Sequence, residues 1–154
     1  MIVITGGAGF IGSNLVNYLL GNGERKIVSI DWHNKKNEKY FLNKNFLKIN
    51  PKNIDLFLNK NIKQIKILVH LGAITSTTER NLDIIIKNNI NLSLKLWNWC
   101  KDHKKRFIYA SSAATYGNGD DGFEDDSNDN NLSRLLPLNL YGWSKHIIDR
   151  YIWN

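Results

Sequence analysis

"TGGAGFIG", residues 5–12, closes the apolar run "IVIT" (Ile2–Thr5) and opens the stretch "FIGSNLVNYLLG" (Phe10–Gly21). Glycines stand at 6, 9 and 12, in a G-x-x-G-x-x-G spacing. A β run that ends in such a turn and passes straight into a helix is the context a dinucleotide-binding turn requires. Gly6 permits the tight turn, Gly9 lets a pyrophosphate approach the backbone, and Gly12 lets the helix pack against the strand. The helix start offers free N–H groups and the positive end of a dipole to the phosphates. Nineteen residues beyond Gly12, Asp31 closes a second strand, "KIVSID", where a carboxylate can accept hydrogen bonds from an adenosine ribose. Together these residues predict one nicotinamide dinucleotide per chain. Asp31 taken alone argues for NAD, because a carboxylate repels a 2′-phosphate. The following "WHNKK" brings Lys35 and Lys36 within reach of such a phosphate, which leaves NAD and NADP both open. Trp32 is either an adenine-stacking wall or a packed side chain.

Outward from the turn, strand and helix signals alternate. Ile11, Leu15 and Leu19 mark one face of the first helix, with Gly21 or Gly23 as its stop. "FLKI" reads as a third strand, "PKNIDLFLNK" as a helix opened by Pro51, and "IKILVHLG" as a strand buried on both faces. Residues 79–104 read as one long helix. Leu82, Ile85, Ile86, Leu92, Leu96, Trp97 and Cys100 suit a core, while Ile84, Ile90, Leu94 and Trp99 lie off that face. "RFIYASS" is the next strand, and "YGWSKHIIDRYIWN" begins a last helix. This alternation predicts an α/β fold, a doubly wound parallel sheet of Rossmann type with helices on both faces. A helix apolar all round must hide more than one face. The expected partner is a second copy of the chain, through helices at 79–104 and 141–154; burial under loops of the same chain is the alternative.

Composition bounds the rest. At 154 residues the chain has the size of one ordinary domain, with no low-complexity tract or repeat. No stretch approaches membrane-spanning length, and the N-terminus lacks the pattern of a secretion signal, so a cytoplasmic protein without membrane contact is expected. A single cysteine, Cys100, excludes an internal disulfide framework and reads as a buried small hydrophobe. The net charge is +7, and nine lysines lie between Lys35 and Lys66. They come without an arginine cluster, zinc spacing or aromatic stacking motif, so they read as a solvated face and not as a nucleic-acid surface. The acidic "GNGDDGFEDDSNDNN" reads as a mobile loop near the cleft mouth. No His or Cys joins its acids, and they lack calcium-loop spacing, so no metal site is expected.

"YGWSK" completes the chemistry. Tyr141 and Lys145, four apart on a helix, share one face. Ser112 lies at the C-terminal end of a strand, the edge where ligands bind in an open parallel sheet. A phenol is a poor base at neutral pH, but a neighbouring ammonium and a positive nicotinamide favour its phenolate. Tyr141 is therefore the expected proton acceptor, with Lys145 also holding the nicotinamide ribose. Ser112 orients the substrate hydroxyl and stabilises the developing carbonyl oxygen.

"TGGAGFIG", "SSAATYG" (111–117) and "YGWSK" (141–145) resemble the extended short-chain dehydrogenase/reductases, which modify nucleotide-activated sugars. "HLGAITSTTE" (70–79), "SSAATYG" and "PLNLYGWSK" (137–145) narrow the resemblance to the ADP-L-glycero-D-manno-heptose 6-epimerases within that family. It spans essentially the whole chain but only about the first half of such an enzyme. It implies that further sheet, the substrate lobe and a second acid/base lysine lie beyond these residues, and that this chain is weakly active or inactive. It also implies that Phe10 and Ile11 cover the pyrophosphate and that Asp31 with Trp32 lie at the adenosine ribose. Leu71, Gly72, Ala73, Ile74 and Thr75 would pass beside the cofactor, and Asn88 would touch it. Ser112, Tyr141 and Lys145 would be catalytic, with Ser112 and Tyr141 also touching the substrate. Ser76, Thr77, Thr78 and Glu79 are either substrate contacts or local helix caps. His70 is read as structural. The implied reaction is inversion at carbon 6 of an ADP-heptose for lipopolysaccharide core supply, by transient oxidation with bound NAD or NADP. The alternatives are another nucleotide-sugar enzyme, of the UDP-glucose 4-epimerase or dehydratase kind, or a non-catalytic dinucleotide-binding remnant. Dehydratases usually carry an Asp-Glu pair that "SSAATYG" lacks.

Overall fold

The computed structural model describes residues 1–24, 26–32, 44–126 and 128–153. Lys35 and Lys36 lie outside them. The chain divides into two compact units, Met1–Gly72 with Cys100–Tyr109, and Ala73–Trp99 with Ala110–Asn154.

The first unit is a five-stranded sheet. Strands β1 (Ile2–Thr5), β2 (Ile27–Ile30), β3 (Phe46–Ile49), β4 (Ile67–His70) and β5 (Arg106–Tyr109) run parallel in the order β3-β2-β1-β4-β5. Val3 of the central strand pairs with Val28 on one side and Leu68 on the other, which explains why β1, β2 and β4 are nearly all apolar. The order reverses between β1 and β4, so their C-terminal ends frame a topological switch point, where open α/β sheets bind ligands. Helix α1 (Phe10–Gly21) connects β1 to β2, and α2 (Ile54–Lys60) connects β3 to β4. A short 3₁₀ turn, Pro51–Asn53, precedes α2, with the Asn50 side chain accepting the Lys52 N–H.

Val16 of α1 is buried with Ile4, Ile27 and Val69, and Leu15, Leu19 and Leu20 pack against that cluster. Each such side chain contributes roughly 1.5–3 kcal/mol by leaving water. Ile11 departs from the expected apolar face: it is 66% exposed. The buried stripe of α1 runs instead through Gly12 and Val16. Cys100 is buried, and burial pushes its thiol up to about 11 against the opposing pull of the Lys105 ammonium.

The second unit is helical. The helix expected over 79–104 starts later and is not uniform. It consists of α3 (Leu82–Ile85), a π segment (Ile86–Asn91) and α4 (Leu92–Asp102). Its start is fixed by Asn81, whose side chain accepts the Ile84 N–H. In the π segment the backbone ladder widens by one residue, and the Ser93 hydroxyl donates to the Asn89 carbonyl. Of the residues expected in the core, Ile85, Leu96 and Cys100 are buried, while Leu82, the first residue of α3, is 52% exposed. Helix α5 (Asp129–Leu132) and α6 (Leu140–Trp153) complete the unit. Where an acidic loop was expected, α5 forms a helical turn. Asn128 caps it by accepting the Asn131 N–H, and Asp129 is held by Arg150 of α6 at 3.2 Å.

Candidate functional site

In the first unit the turn after β1 is stitched on two sides. Gly6 adopts φ +71°, the left-handed region that glycine enters freely. Toward β4, the Thr5 Oγ1 accepts the Gly72 N–H at 3.2 Å, and the Thr5 carbonyl accepts the Leu71 N–H at 3.2 Å. The Thr5 Oγ1 also shares a hydrogen bond with the His70 Nδ1, 2.6 Å away. The ring is 1% exposed and lies 5.8 Å from the Tyr109 ring, so His70 sits in the sheet, in keeping with a structural residue.

Toward β2, Asp31 does two things. Its Oδ2 accepts the Ala8 N–H at 2.9 Å and its Oδ1 accepts the Trp32 N–H at 2.7 Å. One bond per oxygen leaves acceptor capacity on both for a ribose hydroxyl. Trp32 stands 59% exposed. Helix α1 begins at Gly9 with no side-chain cap and no acidic residue in its first turn. Asn50, Asn81, Asn128 and Ser112 each cap the helical turn they begin. The first-turn N–H groups of α1 thus lack the side-chain acceptor the others have, and Phe10 is 86% exposed beside them. This donor set fits the pyrophosphate of a dinucleotide.

In the second unit, Ser112 begins a turn that packs against α6, the helix that carries Tyr141 and Lys145. The Asn139 side chain accepts the Gly142 N–H at 2.8 Å, starting α6 so that Tyr141 falls in its first turn. The Lys145 Nζ lies 6.0 Å from the Tyr141 ring centroid, on the shared face that the four-residue spacing predicts. Lys145 is only 3% exposed and donates to the Ala110 carbonyl at 2.8 Å. Burial lowers its pKa to about 8, against the opposing charge of Asp149. Two residues beyond Ala110, Ser112 opens a 3₁₀ turn, Ala113–Tyr116, its Oγ accepting the Ala114 N–H at 3.2 Å. The hydroxyl proton of Ser112 remains to donate. This turn meets α6 at Gly142, where a Cβ would lie 2.6 Å from the Ala114 carbonyl oxygen.

Residues 74–79 lie in the same unit. Glu79 Oε1 accepts the N–H groups of Arg80 and Asn81 at 2.9 and 2.8 Å, so this carboxylate closes the turn that leads into α3. The Ser76 and Thr78 hydroxyls bond each other at 3.0 Å, and Thr75, Ser76 and Thr77 are exposed. Asn88 donates to its own helix, at the Ile84 carbonyl.

Its neighbour Asn89, missed by sequence reasoning, is the organising residue. Asn89 is 1% exposed; its Oδ1 accepts the Ile74 N–H at 2.8 Å, and its Nδ2 donates to the Ile74 carbonyl and the Ser144 Oγ, each at 2.9 Å. Ser144 in turn donates to the Tyr141 carbonyl at 2.7 Å. The signal was present: 85, 89, 93, 96 and 100 form one helical stripe, and Asn89 and Ser93 are its polar members. A polar residue on a core stripe is more informative than an apolar one.

A family model described as the NAD dependent epimerase/dehydratase family matches residues 2–154. The chain is 39% identical to an ADP-L-glycero-D-manno-heptose-6-epimerase of Fusobacterium nucleatum, over 97% of its own length and 46% of that protein's. It is 38% identical to the Brachyspira hyodysenteriae protein of the same name, covering 99% of this chain and 48% of the relative. The chain thus spans about half the length of the curated relatives it matches. Among solved structures, the Helicobacter pylori ADP-L-glycero-D-manno-heptose-6-epimerase superposes with a TM-score of 0.77 at 32% identity, covering 98% of this chain and 49% of that one. A UDP-glucuronic acid 4-epimerase from Bacillus cereus, solved in complex with NAD, gives 0.77 at 27% identity, with 98% and 50% coverage.

Proposed function

Because the chain belongs to the NAD dependent epimerase/dehydratase family, we propose that it carries the cofactor-binding and proton-transfer part of a nucleotide-sugar epimerase. The substrate is an ADP-heptose and the inverted centre is carbon 6. The observation that carries this reading is the buried Lys145 Nζ, 6.0 Å from the Tyr141 ring and bonded to the Ala110 carbonyl two residues before Ser112.

The α1 N-terminus and the Gly6–Gly12 turn would hold the pyrophosphate, Asp31 the adenosine ribose, and Lys145 the nicotinamide ribose; residues 71–75 and Asn88 would line the site. The carboxylate of Asp31 makes NAD the preferred cofactor over NADP, since a 2′-phosphate would meet like charge. When bound, the dinucleotide accepts a hydride from carbon 6 and returns it, so no net oxidation results. Tyr141 takes the proton of the sugar hydroxyl as the carbonyl forms. Ser112 donates its free hydroxyl proton to the developing carbonyl oxygen. The Lys145 ammonium sets a positive charge beside the phenol. Inversion of the centre would follow from return of the hydride to the opposite face of the turned ketone. Ser76 and Thr77 are substrate contacts in this reading. Supply of heptose for lipopolysaccharide is the role that such an activity serves, in the cytoplasm and in a homo-oligomer.

The test has two stages. Titration with NAD and NADP, followed through tryptophan fluorescence, should show saturable binding with NAD the tighter. Conversion of ADP-D-glycero-D-manno-heptose to its carbon-6 epimer, read by NMR, should be slow for this chain and should fall at least about 100-fold in Tyr141→Phe. Absence of nucleotide binding would overturn the reading. So would turnover that survives Tyr141→Phe, or turnover of UDP-glucose but not of the ADP-heptose.

A further inference from the structure

The ammonium assigned to the nicotinamide ribose is held by more than its own helix. Lys145 and Asp149 are four apart on α6, and each reaches the chain just before Ser112. The Lys145 Nζ donates to the Ala110 carbonyl at 2.8 Å, and the Ser111 hydroxyl donates to the Asp149 Oδ2 at 2.5 Å. Successive residues, 110 and 111, are thereby fastened to successive turns of α6. The next residue is Ser112. We propose that Asp149, clasped by Ser111, is a positioning residue for the proton-transfer set. It supplies the negative charge that keeps the buried Lys145 protonated, and it fixes the segment carrying Ser112 against the helix carrying Tyr141.

The inference rests on the catalytic reading given to Lys145, and electrostatics agrees with the geometry. Burial lowers the Lys145 pKa to about 8, only just above neutrality, and Asp149 is the group that works against that fall. Asp149 is itself raised by burial, and is held down by the Ser111 hydrogen bond and by Lys145. The two groups act on one another, so removing either must show in the other by the same coupling. On the elements packed against α6, the other charged groups are Asp83 of α3, Lys87 of the π segment and Asp129 of α5. Asp129 is engaged by Arg150 at 3.2 Å, and along α6 itself the other titratable or charged groups are that guanidinium, His146, Tyr141 and Tyr151. Ser111 tethers Asp149 to the same short segment that accepts from Lys145, so its carboxylate is directed to the lysine's side of the helix.

The test reads Lys145 directly. In protein carrying ¹³C,¹⁵N-labelled lysine, its side-chain resonance is assigned by its loss in Lys145→Met and titrated by NMR. Asp149→Asn keeps the shape and a hydrogen-bond acceptor but removes the charge. The Lys145 titration should then move down by roughly one pH unit, while circular dichroism and the thermal midpoint stay near those of the parent. Asp149→Glu should restore most of the shift. An unmoved Lys145 titration in folded Asp149→Asn overturns the proposal. Should that variant fail to fold, the reciprocal measurement decides. The Asp149 carboxyl, followed by ¹³C NMR, should titrate higher in Lys145→Met than in the parent, and an unchanged value overturns the proposal equally. Both readouts are independent of turnover. A shifted Lys145 with Tyr141→Phe still active would sink the epimerase reading and leave the clasp standing; the converse would sink the clasp alone.

Discussion

Replacing Asn89 by alanine removes three hydrogen bonds at one buried position. Two go to the backbone of Ile74, at 2.8 and 2.9 Å, and one to the Ser144 hydroxyl, at 2.9 Å. The magnitude follows from what is left behind. Ser144 keeps its bond to the Tyr141 carbonyl, so losing the amide deprives it of one partner only. Ile74 loses a partner on both its N–H and its carbonyl, but it is half-buried, and water can reach part of that deficit. At about 1 kcal/mol per net bond, and somewhat more for each orphaned group, the loss should be roughly 3 kcal/mol. Asn88→Ala, one position away and bonded only within its own helix, should cost less than about 1 kcal/mol. Urea unfolding followed by tryptophan fluorescence gives the comparison. Because the chain has two compact units, amide hydrogen exchange at Ile74 supplies the local reading, and protection there should fall selectively in Asn89→Ala. Equal stability of the two alanine variants, with Ile74 protection intact, would refute the claim that Asn89 ties the 74-region to α6.

Two further outcomes test other parts of the molecule. A Cβ on Gly12 would lie 2.1 Å from the Gly6 carbonyl oxygen and 2.7 Å from the Gly7 Cα, so Gly12→Ala forces backbone apart and should cost at least about 2 kcal/mol. Gly21→Ala, with nothing within 4 Å, should be neutral or slightly stabilising in the same urea assay. His146 titrates below its ordinary 6.5, first because burial disfavours the charged ring and then because Arg150 repels it. The unfolded chain therefore takes up a proton at a higher pH than the folded one does, and stability is lost as pH falls from about 6.5 toward the folded value. Thermal unfolding from pH 7.5 to 5 should show that slope in the parent and a flatter one in His146→Gln.

The sheet was legible because its order is written in local patterns. Four-residue apolar runs, a glycine turn and amphipathic connections define β1 to β5 without any long-range information. The parallel sheet with flanking helices then follows from the crossover rule, while the order β3-β2-β1-β4-β5 comes from the structure. The shared face of Tyr141 and Lys145 was legible for a different reason: four-residue helical spacing dictates it. The long helix was not. Its ladder widens at the π segment, beside Asn89, whose interior partners Ile74 and Ser144 lie far away along the chain, which no propensity records. The acidic stretch hid the α5 turn similarly, since Asp129 is fixed by Arg150, 21 residues on.

What the sequence failed to reveal has a common physical form. The reacting groups are named by their own chemistry, but the residues that hold them are named only by their partners. Asn89 is bonded to Ile74 and Ser144, Asp149 to Ser111, and Thr5 to His70 and Gly72, with partners up to 67 positions away along the chain. Each of these is an ordinary polar residue until the chain folds. A lysine buried to 3% exposure can remain useful as a cation only if such partners exist, because burial by itself drives it toward the neutral form. The presence of Lys145 in "YGWSK" therefore implies a compensating acceptor and charge somewhere in the fold. The structure supplies them at Ala110 and Asp149. A site of this kind is better sought by asking what a buried cation requires than by reading outward from its motif.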